Sequence, residues 1–494
     1  MDYGFEIRSI ADERAYHNTA ILIYLKAASE ILGGDANISI GNSLNQGYFT
    51  YYSAEKSGLS TTVINKIRDR MQRIIDKDIE IICEQDTVRH ATAKWKSLGY
   101  YEKSGLIETR DPDEIVEILN LDGYRNCLYT KVLPSTGYID RFELRSYRTG
   151  MLLRLPTALS PSVPEYRDDN KLYDAFAESK KMSKNNGVKY LADVNRLILE
   201  GRADDLIRAS EWNHNKVLSG IADRIVKEDK RIVLIAGPSS SGKTTTAKRL
   251  CAAIAERTGE PLYLGTDDYF VERDQSPIGP DGKPDYEGLD CLDMDLFNRN
   301  MEDLLDGKEV DIPTFDFIEG RKLFGSRVTK LREGQIIVIE GIHSLNNILT
   351  EHIPAAQKFK IYISPLTLLS IDRHNRLSTT DARLLRRMVR DNQFRNADAE
   401  KTLDTWPKVR AGESVNIFPY SSSADVVFNS STVYETNLLK TYAEPLLLAI
   451  DESSPQYIEA QRILGVMKYF VGIESSDAVP DESLIREFIG KRQK

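Results

Sequence analysis

At 494 residues the chain exceeds one ordinary domain, and two or three are expected. A hydrophobic share of 41% with 29% charged residues is that of a soluble globular protein, and a net charge of −9 disfavours a general polyanion binder. Four scattered cysteines (Cys83, Cys127, Cys251, Cys291) speak against a disulfide framework or a finger-type zinc site; the acidic start is unlike a signal peptide, no apolar run is long enough to span a bilayer, and the expected location is the cytoplasm.

Ala20 to Leu32 has the apolar spacing of a helix and stops at Gly33-Gly34, a C-cap pair. Residues 36–52, ANISIGNSLNQGYFTYY, read as two strands around a polar turn. Ser60 is placed to cap a helix with apolar positions Ile64, Ile67, Met71, Ile74 and Ile75. CLYTKVLP (127–134) and YIDRFELRSY (138–147) read as strands, so the first part, 1–155, is α+β. Residues 156–170, rich in proline, serine and charge, suit a linker. A helical pattern follows, with Leu191, Val194, Leu197 and Ile198 on one face and Val217, Leu218, Ile221 and Ile225 on another, and 156–230 is expected to connect two domains. From 231 to about 430 strands alternate with helices, which implies a parallel, doubly wound sheet. A mostly helical tail, 431–494, closes the chain.

The most informative stretch is RIVLIAGPSSSGKTTTAKRL, residues 231–250. An apolar strand, a glycine loop and a helix follow one another with the spacing of a P-loop. Gly237 and Gly242 permit the tight turn, and the N–H groups of Gly237, Ser239, Ser240, Ser241, Gly242, Lys243, Thr244 and Thr245, with Pro238 in the loop, surround an anion at a helix N-terminus. Lys243 is placed for the β- and γ-phosphates of ATP and the Thr244 hydroxyl for Mg²⁺.

The downstream residues sort the P-loop classes. No guanine-reading N-K-x-D follows a later strand, which disfavours a GTPase. A small-molecule kinase needs an acceptor base, a metal-binding acid and cations over the transferring phosphoryl group. Asp267 and Asp268 end the second strand, expected beside the P-loop; Glu340 ends another buried strand; and 381–395, DARLLRRMVRDNQFR, carries Arg383, Arg386, Arg387, Arg390 and Arg395 as a phosphate-clamping lid.

GPSSSGKT, TDDYF, PTFDF, IEGIH and RLLRRMVRD occur in the order of the phosphoribulokinase/uridine kinase family, which this half resembles over about 200 residues. The resemblance implies that Asp267 is the general base on an acceptor hydroxyl and that Thr244 and Glu340 serve Mg²⁺. It implies that Lys243, Arg387 and Arg390 act on the transferring phosphoryl group, with Arg395 on the lid. Tyr269, Tyr286, Glu287, Phe315 and Arg321 fall on the acceptor side. Phe315 and Gly320 stand where uridine–cytidine kinases read the base with tyrosine and histidine; Arg321 is the candidate substitute.

The front half resembles the editing-type domain of threonyl- and alanyl-tRNA synthetases, through ISIGNSLNQGYFTYY and CLYTKVLPSTGYIDRFEL. Of the H-x-x-x-H and C-x-x-x-H positions only His17 and Cys127 remain, with Ile21 and Lys131 replacing the others, so hydrolytic or zinc chemistry is not expected there. The whole chain resembles long bacterial nucleoside kinase-like proteins that join these two parts. The reading is a kinase using ATP and Mg²⁺ on a small-molecule hydroxyl, with the 5′-OH of a nucleoside first among acceptors. A sugar phosphate or pantothenate-like alcohol is the alternative acceptor, and an ATP-controlled RNA-binding protein the alternative class. RNA contact through the front half and homo-oligomerisation are the partner expectations; no membrane is expected.

Overall fold

The computed structural model describes residues 4–34, 37–44, 47–54, 57–168, 170–185, 187–279, 282, 285, 287–367 and 369–492. Two compact units interleave along the chain. Met1–Ala203, Thr367–Ser378 and Tyr457–Ile473 form the first; Asp204–Leu366, Thr379–Gln456 and Glu474–Lys494 form the second.

In the first unit, α1 (Ile10–Leu32) starts on Ser9, whose hydroxyl accepts from the Asp12 N–H, and ends on Gly33 at φ 75°. Tyr16, His17 and all of Thr19 to Ala28 are buried, so this is a central rather than a surface helix. α2 (Thr61–Asp76) is capped by Ser60 and buries Ile64, Ile67, Met71, Ile74 and Ile75 in the same core. Four antiparallel strands, β1 (Ile38–Leu44), β2 (Gly47–Tyr52), β6 (Glu143–Tyr147) and β7 (Gly150–Arg154), pair in the order β1-β2-β7-β6. Three more, β3 (Ile81–Thr87), β4 (Ile115–Leu121) and β5 (Tyr124–Asn126), pair in chain order. α3 (Val88–Ser97) and α4 (Tyr101–Ile107) join β3 to β4, and α5 (Asn170–Asn185) and α6 (Leu191–Leu199) follow β7.

The strand expected over 127–134 does not form; β5 stops at Asn126. The backbone there is satisfied locally instead of by a ladder. Cys127 N–H donates to the Asn126 side chain, Leu133 N–H to the Thr19 hydroxyl, and the Cys127 carbonyl accepts from Asn375. Likewise only Glu143–Tyr147 of the strand expected over 138–147 is extended ladder. The buried Lys103–Asp372 ion pair (3.2 Å) ties Thr367–Ser378 into this unit; Asn126 also accepts from Lys103 (2.9 Å), and the Tyr129 hydroxyl donates to Asp372 (2.7 Å).

The second unit opens with α7 (Ala203–Lys227) and then β8 (Ile232–Ala236), all five of whose residues are buried. Such a two-faced apolar strand belongs in the middle of a parallel sheet. α8 (Lys243–Thr258), β9 (Leu262–Gly265) and α9 (Met294–Leu305) follow. Two small antiparallel pairs come next: β10 (Glu309–Asp311) with β13 (Val328–Lys330), and β11 (Thr314–Asp316) with β12 (Arg321–Leu323). β14 (Ile337–Glu340), β15 (Lys358–Ser364), α10 (Thr379–Arg395), α11 (Ala399–Asn416), α12 (Phe418–Ser421), β16 (Val426–Asn429) and α13 (Glu435–Leu448) complete its main body. α14 (Tyr457–Met467) returns to the first unit and α15 (Arg486–Ile489) to the second.

The large sheet is all parallel in the order β16-β15-β8-β14-β9. β14 therefore stands between β8 and β9. Asp267 does not end the strand beside the P-loop, as the sequence reading had it; Glu340 does. The crossover from β8 through α8 skips one place in the sheet, which chain order alone does not show.

Candidate active site

The loop 237–242 leaves the carboxyl end of β8, where open α/β sheets bind ligands. At Gly237 an added Cβ would lie 2.2 Å from the Ile363 carbonyl oxygen, so no larger residue fits. Gly242 caps α8 at φ 83°, and Ser240 takes φ 58°, the left-handed turn that brings successive N–H groups to one side. Lys243 Nζ donates to the Pro238 carbonyl (3.4 Å).

Two acids are sorted by their partners. Asp268 is held by Arg327 at 2.6 Å. Asp267, its neighbour in a 3-10 turn, keeps an exposed edge while the rest of the group is closely surrounded by protein. Desolvation by the surrounding protein raises its carboxyl above the usual range, against the pull of the Lys243 ammonium and with a push from Asp268. Glu340 is raised too, first by burial and then by Asp267 and Glu487, while Lys243 pulls it down. Its Oε2 accepts from the Thr244 hydroxyl (3.3 Å) and the Tyr263 hydroxyl (3.2 Å). Lys243 thus acts on both Asp267 and Glu340. Among the described residues no group of three or more His, Cys, Asp or Glu could hold a metal ion. The adjacent Thr244 and Glu340 oxygens suit a hard cation that takes its remaining ligands from water and phosphate.

The arginine helix divides in a way the sequence reading did not anticipate. Arg383 and Arg386 are not on a lid; they are buried beneath the loop. Arg383 Nε donates to the Ser239 carbonyl (2.9 Å) and pairs with Glu413, which in turn accepts from the Ser239 N–H (2.8 Å). Both backbone polar groups of Ser239 are thereby fixed. Arg386 donates to the carbonyls of Ser240 (3.2 Å) and Ser241 (3.3 Å) and makes a two-pronged pair with Glu435. Arg383 and Arg386 together fix three successive carbonyls of the loop, those of Ser239, Ser240 and Ser241. Arg387 reaches the Ser239 hydroxyl (3.0 Å), and Arg387, Arg390 and Arg395 gather around Asp391 at 3.2, 3.7 and 3.3 Å.

On the acceptor side, Tyr269 is fully buried, its hydroxyl accepting from Asn300 and its ring against Phe297, so it offers nothing to a ligand. Its neighbour Phe270 instead joins Phe315 and Phe317 in an aromatic cluster with ring centroids 5.2–6.2 Å apart. Arg321 is a surface residue paired with Glu319. Gly320 is closed off by Arg273, since an added Cβ would lie 2.7 Å from two of its side-chain atoms; Arg273 also donates to the carbonyls of Phe317 and Ile318. Glu287 rests against Gly412 of α11, and burial, with Glu413 nearby, raises its carboxyl. Tyr286 lies outside the described residues.

Glu413, Glu435, Glu487, Arg273 and Arg327 were not singled out from sequence. None belongs to a local motif. For Glu413 a signal exists: Thr402, Trp406, Val409 and Glu413 share one buried face of α11, and an acid closing an apolar stripe needs a buried cation.

With this geometry in hand, residues 232–437 match the phosphoribulokinase / uridine kinase family. The C-terminal part of the chain carries a domain of that family. It is a phosphotransferase acting on an alcohol group. Similar proteins include the uridine kinase of Macrococcus caseolyticus, 27% identical over 198 residues, covering 40% of this chain and 86% of that protein. The uridine kinase of Staphylococcus epidermidis is 28% identical over 200 residues, with the same two coverages, 40% and 86%. A solved structure described as a possible uridine kinase from Bacillus stearothermophilus aligns at 18% identity and TM-score 0.27, covering 40% of this chain and 88% of that one.

Proposed function

We propose that the chain is an ATP- and Mg²⁺-dependent kinase that transfers the γ-phosphate to a hydroxyl of a small molecule, with the 5′-OH of a nucleoside as the first acceptor to test. The observation that carries this reading is the Thr244 hydroxyl of the phosphate loop donating to Glu340 (3.3 Å), with Glu340 in register with Gly265, two residues before Asp267. Since Asp268 is paired with Arg327, Asp267 is the candidate base. It accepts the acceptor's proton. Lys243 and the loop N–H groups hold the β- and γ-phosphates, and Arg387 and Arg390 stabilise charge in the transition state. Thr244 and Glu340 would hold Mg²⁺, which when bound neutralises phosphate charge.

A different acceptor on the same fold is favoured by one observation. Arg273 fills the space at Gly320, and Phe315 brings no hydroxyl, so neither position supplies a base-reading side-chain hydrogen bond of the usual kind. A panel of nucleosides, sugar phosphates and pantothenate, with ADP release as readout, separates the two.

For the first unit we propose a synthetase editing-type fold kept without its hydrolytic chemistry, with RNA contact as the partner to test. The His17 ring nitrogens bond the Tyr48 hydroxyl (3.0 Å) and the Pro156 carbonyl (2.8 Å). Burial pushes the Cys127 thiol up to about 12, so it is no nucleophile at neutral pH. RNA titration at two salt concentrations tests the contact; binding by phosphate contacts weakens steeply with salt.

A further inference from the structure

Within the last segment, Leu484 and Glu487 pack against the phosphate loop and the start of α8. Leu484 lies on Gly242: an added Cβ there would be 2.7 Å from two of its atoms. Phe488 is fully buried, with the Arg386 guanidinium 5.0 Å from its ring centroid. Between them, Glu487 accepts from the Thr245 hydroxyl (2.8 Å) and the Thr245 N–H (3.4 Å), with Arg390 at 3.8 Å. The segment is anchored by bonds of its own. Ser483 donates to Glu211 (2.6 Å), and Arg486 donates to the carbonyls of Ser476 (2.7 Å) and Val479 (2.8 Å).

This places an anion where a phosphate-binding helix gathers its donors. Gly242 has no side chain to cap α8, and Glu487 supplies a carboxylate to the first turn from more than two hundred residues away in sequence. The same carboxylate faces Arg390 at 3.8 Å, a half-buried cation that also has Asp391 at 3.7 Å and lies among Arg395 and Arg387. A nucleotide's phosphates call on the same donor and the same cation.

We propose that the C-terminal segment is an internal competitor for the nucleotide: Glu487 occupies Thr245 and Arg390 in the free protein, and bound phosphate takes them over. This rests on the P-loop kinase reading above. Removing the charge while keeping the shape, by Glu487→Gln, relieves the competition and tightens binding of ADP and ATP by roughly three- to tenfold, the range expected for one charge at a helix terminus.

The test is calorimetric titration of the full chain with Mg-ADP, in the natural protein, in Glu487→Gln and in Lys243→Ala. Hydrogen exchange of residues 483–490, with and without ADP, runs beside it. Binding that is lost in Lys243→Ala, tightened in Glu487→Gln and accompanied by faster exchange in 483–490 is the expected result. Binding by the natural protein that is unchanged within twofold or weakened in Glu487→Gln overturns the competitor while leaving the kinase reading intact. No binding of Mg-ADP by the natural protein at millimolar concentration overturns the phosphate-loop reading itself.

Discussion

Arg386 and Glu435 form a fully buried, two-pronged ion pair directly beneath the phosphate loop, at 2.5 and 2.6 Å, and the same guanidinium holds the carbonyls of Ser240 and Ser241. Two charges buried together are not strong evidence of stability, but breaking such a pair leaves one charge stranded. Arg386→Ala is expected to cost about 3–5 kcal/mol and to lower the midpoint of thermal unfolding markedly. Arg386→Met with Glu435→Leu is expected to recover much of that stability, because no charge remains, yet not nucleotide binding, because the loop carbonyls stay unbonded. Thermal unfolding and Mg-ADP titration of both proteins check this.

The two neighbouring aspartates are expected to respond differently. Asp267→Asn removes the proposed base and lowers kcat by roughly 10²–10⁴-fold, with nucleotide affinity little changed. Asp268→Asn releases Arg327, a partly exposed pair at 2.6 Å, and is expected to change kcat by less than about tenfold. Steady-state kinetics of the two variants side by side separate a catalytic from a structural carboxylate.

The carboxyl of Asp267 is raised by its surroundings, so activity is expected to fall on the acid side at a higher pH than an ordinary aspartate sets. The base works only when deprotonated; kcat/KM therefore rises with pH through the raised value and then levels. Stability runs the other way for Asp267 and Glu340. Their folded-state values lie above those of the unfolded chain, so their contribution to stability grows as pH falls through the raised values and shrinks as pH rises. A pH–rate profile and unfolding midpoints over pH 4–8 (roughly the range where raised carboxylates titrate) test both directions.

Gly341 follows Glu340, and an added Cβ would fall 1.7 Å from the Thr266 hydroxyl oxygen, one residue before Asp267. Gly341→Ala must push two site strands apart. It is expected to lower kcat at least about tenfold, as small misplacements of reacting groups do. Thr266→Ala in the same chain takes away the nearest atom and is expected to restore part of the activity.

What the chain discloses in one dimension follows the range of the interactions. The strand–loop–helix at 232–258 is local: an apolar run, two glycines with defined turns and a helix start, all within one window. The caps at Ser9, Ser60 and Gly33 and the buried positions of α2 are local as well, though only some of them carried a readable spacing. The roles of Arg383 and Arg386 were not legible, because their partners Glu413 and Glu435 lie 30 and 49 residues away and a helix of arginines looks alike whether it faces phosphate or a buried carboxylate. The interleaving of the units is equally hidden. Thr367–Ser378 joins the first unit through Lys103–Asp372, a pair 269 residues apart in sequence. The stretch 127–134 has strand-like composition, but Thr19 and Asn375 satisfy its backbone from elsewhere, and a tertiary bond outweighed the local propensity.

The role proposed for Asp267 is to activate a small-molecule hydroxyl against ATP bound on the 237–245 loop. The most direct measurement follows ADP release by the full chain with ATP and Mg²⁺ across ribo- and deoxynucleosides, ribulose 5-phosphate and pantothenate, beside Asp267→Asn. Release that depends on one acceptor and disappears in the variant is the predicted result. Release that no acceptor stimulates, or that Asp267→Asn retains at near the natural rate, would contradict the claim.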